Sequence, residues 1–211
     1  MRALGCFLAL SMLLSGAVVV DRIAVIAGTH AIKTSDIDRD IRLTQFLNQE
    51  PLTINSATKH AAAERLITQD IIHQEIISGG YRRPAETQAD ELAAQLCRDR
   101  FGNSSQRMRQ ALQKYGLTES EFRERLLWQI TVLQFIDERF RAGVVVSDED
   151  IKKYLNEHAS DLRKPSDSAP DTVTPKIKSQ IEGERIDKNF NEWLDQARQR
   201  YRVEYKQEAL Q

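Results

Sequence analysis

Apolar and polar positions change rhythm near residue 34, and that change divides the chain into elements. Before it, "VVVDRIAVIAGTHAIKTSD" is a β-branched run interrupted at Gly28-Thr29. A pair with glycine first suits a two-residue turn, so the run predicts a strand, a turn and the short return strand "HAIK". Beyond it, apolar residues recur at helical spacing. Thr34 or Ser35 can cap a first helix through Ile37, Ile41, Leu43 and Phe46, with Pro51 ending that region. "SATKHAAAERLITQDIIHQEIISGG" predicts a long second helix with Leu66, Ile67, Ile71, Ile72, Ile76 and Ile77 in phase, stopped by Gly79-Gly80.

"RPAETQADELAAQLCRDRFG" follows, with Pro84 expected near the first turn and Gly102 at the end; "SSQRMRQALQKYG" is shorter and ends at Gly116. In "LTESEFRERLLWQITVLQFIDERFRAG", Thr118 and Glu121 form a capping-box pattern. Its apolar residues run almost all the way round, which predicts a central post of the core. Ser147 caps "VSDEDIKKYLNEH", whose Asp148, Glu149 and Asp150 suit the helix dipole. The stretch "DLRKPSDSAPDTVTPKI" then breaks the pattern with Pro165, Pro170 and Pro175. Pro175 is expected at the first turn of a last helix through Ile177, Ile181, Phe190, Trp193, Leu194, Ala197 and Tyr201. "YRVEYK" alternates as a half-exposed strand. Lone strands at the two ends would each leave backbone groups unpaired. Pairing them satisfies both, within one chain or by exchange between two copies, in a direction the sequence does not fix.

The first residues alter the picture. Arg2, the apolar "ALGCFLALSMLL" and the small residues Ser15, Gly16 and Ala17 predict a signal peptide, residues 1–17, cleaved after Ala17. An uncleaved anchor is the alternative reading. No Cys follows the small residues, which argues against lipoprotein processing. Cys6 would leave with the signal, and Cys97, within "AAQLCRDRF", reads as a small buried hydrophobe. Lys+Arg 30 against Asp+Glu 31 leaves no basic excess for nucleic acid. A chain 41% hydrophobic and 29% charged suits a well-solvated helical protein and argues against wholesale disorder.

Candidate chemistry is sparse. His30, His60, His73 and His158 include no helical pair enclosing a Glu at zinc-site spacing. The sequence has no phosphate loop, nucleophile elbow or CxxC pair, so no catalytic, metal or cofactor residue is assigned. The acidic residues read as solvated helix faces. Phe101, Met108, Leu112 and Tyr115 could line a groove for extended peptides, or they could fill the core between helices.

The order of these elements resembles a known family. "DRIAVIAGTHAIKTSDIDRDIRL" resembles the opening of SurA-type periplasmic chaperones, and "AAERLITQDIIHQEIISGGY" resembles their second long helix. "YGLTESEFRERLLWQITVLQFIDERF" followed by "VSDEDIKKYLNEH" resembles the helix pair that closes their N-terminal part. The resemblance spans most of residues 20–158. In that family a parvulin peptidyl-prolyl isomerase domain usually follows, and a C-terminal helix and strand return to complete the chaperone domain. Here the return resembles "PKIKSQIEGERIDKNFNEWLDQARQRYRVEYK", while the intervening stretch is too short for the isomerase.

The expectation is a mainly α chain with a SurA N-terminal-domain-like helical bundle and a small β-sheet joining the N- and C-terminal strands. Its parts would be residues 18–160, a bridging loop 161–175 and a returning helix and strand 176–211. The resemblance implies an ATP-independent periplasmic chaperone for unfolded proteins, outer-membrane proteins included. It would be a monomer or a strand-swapped homodimer, without nucleic acid or stable membrane insertion, and not an enzyme. Phe101, Met108, Leu112 and Tyr115 are then the candidate client-binding residues. Peptidyl-prolyl isomerase and secreted scaffold with one fixed partner are the alternatives.

Overall fold

The hairpin at the start of the described chain has the turn that the sequence requires. A computed structural model describes residues 21–158 and 170–211. In it β1 (Ile23–Ala27) and β2 (His30–Lys33) pair antiparallel, with Ala27 opposite His30. Gly28 has φ +59°, and a Cβ there would lie 2.7 Å from the Tyr201 hydroxyl. Gly28→Ala is therefore expected to cost about 1–2 kcal/mol in backbone strain alone, read as a lower urea midpoint at unchanged slope. An unaltered midpoint would refute this reading of the turn.

The last strand, β3 (Val203–Tyr205), pairs antiparallel with the other edge of β1, giving the order β2-β1-β3. Val25 lies opposite Tyr205 and Ile26 opposite Glu204. The first and last strands thus meet within one chain, with β1 central.

Seven α-helices are present among the described residues: α1 (Thr34–Asn48), α2 (Ser56–Gly79), α3 (Glu86–Phe101), α4 (Ser105–Lys114), α5 (Glu119–Phe140), α6 (Asp148–Glu157) and α7 (Pro170–Arg200). Thr118 and Glu121 form their reciprocal box at α5, and Ser147 caps α6 by accepting from the Asp150 N–H. Gly80 ends α2 in the left-handed region.

Three expectations change. Thr34 and Ser35 do not cap α1; their hydroxyls donate to Asp21 at 3.0 and 2.6 Å, while the Lys33 N–H donates to Asp36. The Ser35 hydroxyl, more than any other group, holds the Asp21 carboxyl below its ordinary range. Pro84 lies ahead of the Ala85 cap of α3, outside the first turn. The last helix begins at Pro170, so Pro175 lies inside it and forgoes one ladder bond. The bridging loop drawn as 161–175 is therefore helical from residue 170, and residues 161–169 lie outside the described residues, as does the signal 1–17.

Apolar side chains gather in four places. Ala24, Val25, Ile37, Ile41, Ala63, Ile67 and Leu210 seat α1 and α2 against the sheet. Phe46, Ala93, Cys97, Leu112, Phe122 and Leu126 join α1, α3, α4 and α5. Ile72, Ile76 and Phe135 join the far halves of α2 and α5 to Phe190 and Trp193 of α7. Ile151, Ile177 and Ile181 fasten α6 to the start of α7. Arg139 reinforces the third cluster, its guanidinium 5.3 Å from the Trp193 ring centre and bonded to the Tyr81 hydroxyl at 2.9 Å. Among the described residues no helix is long and apolar enough to cross a membrane.

Candidate functional site

The four residues singled out for client binding come together, but as packing. Leu112 and Met108 are buried in the second cluster. Phe101 stacks on Phe46 at 6.4 Å between ring centres, and Tyr115 meets Phe46 edge-on at 5.5 Å. The Tyr115 hydroxyl donates to the Glu50 carbonyl at 2.7 Å. Met108 and Leu112 therefore have little surface to offer a client, and all four hold α3 and α4 onto α1. Cys97 is buried beside them, as its neighbours in sequence suggested.

The open apolar surface lies on the other side of α5. That helix is not a post enclosed on all sides: it buries Phe122, Leu126 and Phe135, while Leu133 is 66% exposed. Trp128, Ile130, Val132 and Leu133 instead face Ile72 of α2 and Leu92 of α3 across a groove of about 600 Å³. The helical period reveals two apolar faces on α5, but not whether anything covers the second.

Charges at this groove are committed to one another. Asp40 of α1 is 3% exposed. Its Oδ2 accepts from Arg65 Nε of α2 at 2.7 Å, and its Oδ1 from an Arg125 guanidinium N–H of α5 at 2.8 Å. Arg65 and Arg125 both line the groove, so this one carboxylate pairs with two cations at its wall and offsets one of their two charges. Reading the acidic residues as solvated faces missed Asp40, because nothing in the sequence distinguishes it from its exposed neighbours. Glu64, also on the wall, accepts from Arg198 and from the Tyr205 hydroxyl. Burial, then the Glu64 carboxylate, raises the Tyr205 phenol above its ordinary pKa.

A second hollow of about 330 Å³ continues the groove, sharing Gln69 and Trp128 with it and reaching β2 at His30, Ala31 and Ile32. Asp70 sits on its wall and accepts from the Tyr201 hydroxyl, with His30 Nδ1 3.2 Å away. Burial, then Asp70, drives the Tyr201 phenol well above its usual range. These carboxylates tie the end of the chain to α2. Chemically, the groove offers hydrophobic and van der Waals contact between walls whose charges are paired. Among the described residues no group of three or more His, Cys, Asp or Glu could hold a metal ion.

No family model and no curated protein matches this chain.

Proposed function

We propose that this protein is an ATP-independent holdase that takes up exposed apolar segments of unfolded proteins in the groove between α2 and α5. The observation that carries the reading is the open apolar groove lined by the half-buried Trp128, Ile130 and Val132 and rimmed by the exposed Leu133, on a helix whose opposite face is already packed. One exposed leucine is ordinary on a protein surface, but an open groove lined by several further apolar side chains marks a place for a ligand. An open, shallow apolar surface binds varied sequences weakly and releases them by simple equilibrium, which suits a holdase. The resemblance to SurA-type chaperones, with its signal-like N-terminus, agrees with work in the bacterial periplasm on clients that include outer-membrane proteins.

The test is suppression of aggregation of a urea-unfolded outer-membrane protein on dilution, by the wild-type protein and by Leu133→Glu. Burying a leucine contributes about 1.5–3 kcal/mol, so the variant is expected to hold clients at least about tenfold more weakly. Its circular dichroism melt should stay within a few degrees of wild type, because Leu133 is exposed. Equal protection by both proteins would remove the groove from the mechanism. Acceleration of a proline-limited refolding phase at catalytic ratios would instead make the protein an isomerase.

A further inference from the structure

We infer that the segment held in the groove is extended and that it adds to the free edge of β2 as a fourth strand, through the backbone of Ala31. This rests on the groove reading above and specifies how the segment is recognised. The argument begins with which way β1 points its backbone. The Gly28 N–H donates to the Arg202 carbonyl and the Lys206 N–H to the Ala24 carbonyl, both at 2.8 Å. Residues 24 and 26 of β1, and Gly28 just after it, therefore turn toward β3, and Val25 and Ala27 turn toward β2. Ile32 lies opposite Val25 and His30 opposite Ala27, so these two β2 residues form the ladder to β1. Ala31, opposite Ile26, points its N–H and C=O the other way, out of the sheet.

That outward side belongs to an edge strand, because the order is β2-β1-β3. The next outward donor, the Lys33 N–H, is already taken by the Asp36 carboxylate at 3.0 Å. The edge thus presents one residue's donor and acceptor, and Ala31 is exposed. The same residue lies on the wall of the hollow that continues the groove past Trp128. A strand paired to Ala31 would send its neighbouring side chains to the face of His30 and Ile32, over Leu66 and Trp128. An extended polypeptide supplies both parts of this match, a backbone to pair and apolar side chains to bury. It would be read largely through groups that every sequence carries, so the site tolerates varied clients.

The probe is a peptide of about ten residues alternating leucine and threonine, long enough to form one strand. Its counterpart is methylated at every amide nitrogen, so that neither edge of the extended chain can donate to Ala31. Calorimetric titration of the protein with each should show the methylated peptide binding at least about tenfold more weakly. Ala31→Pro, which removes an N–H that β1 does not use, should give a similar loss with the unmodified peptide. Hydrogen exchange at the Ala31 amide should slow when that peptide binds. This measurement on the wild-type protein stands even if the proline variant misfolds.

Equal binding of the two peptides, with Leu133→Glu weakening both, would overturn strand addition and leave the groove reading in place. No binding of either peptide would remove both. Protection of Ala31 that grows with protein concentration, without peptide, would give the edge to a second copy and overturn the inference.

Discussion

Asp40→Ala is expected to lower folding stability by about 3–5 kcal/mol, the cost of leaving a buried charge without its partner. One carboxylate joins three helices here: Asp40 on α1 accepts from Arg65 on α2 and from Arg125 on α5. Arg65 is partly exposed and can regain water. Arg125 cannot do so easily: its side chain is 14% exposed and its Nε–H already lacks a partner. Against a total of about 5–15 kcal/mol, the loss should show as a large fall in the urea midpoint. Replacing both residues, as Asp40→Leu with Arg125→Met, should recover much of it, since paired apolar replacements of buried ion pairs are often neutral or better. A single-variant loss below about 1 kcal/mol would mean that water reaches Arg125. The same substitution should weaken client uptake, because two uncompensated cations would then face the apolar groove.

Removing Val203–Gln211 is expected to have the largest effect of all, leaving a chain that does not fold cooperatively. Leu210 is fully buried against the sheet, and its burial alone contributes about 1.5–3 kcal/mol. The deletion also takes the Lys206 N–H from the Ala24 carbonyl and the Tyr205 hydroxyl from Glu64. It exposes one edge of β1, which the fold otherwise keeps central. Thermal unfolding by circular dichroism should lose its sigmoid, and the protein should aggregate at micromolar concentration. A deletion variant that melts within a few degrees of the intact chain would show that the closing strand is dispensable.

The hairpin turn, the helix order and two of the caps were legible because each is written locally: Gly28 at the hairpin, Thr118 with Glu121, Ser147 before its acidic turn. The cap of α1 was not, because Asp21, outside the helix, takes the Thr34 and Ser35 hydroxyls. Pairing of the end strands followed from their unsatisfied edges, though the antiparallel direction did not. The site was largely illegible. Met108 and Leu112 carry the same apolar pattern as Ile130 and Leu133, and only packing separates the buried pair from the groove. Asp40 and Asp90 are both acids on helices, yet one is buried among three helices and the other pairs with Arg123 while largely exposed. Pattern records which residues prefer an interior, but not which interior is already full.

The β1–β3 pairing also sets a delay. Val25 precedes Tyr205, its partner across the ladder, by 205 − 25 = 180 residues. A chain delivered N-terminus first, by a ribosome or an export channel, passes through an interval in which β1 is out and β3 is not. Throughout it the nascent chain carries a central strand with nothing on one side. A protein we propose to shelter unfinished polypeptides must therefore itself wait, unfinished, for its own closing strand.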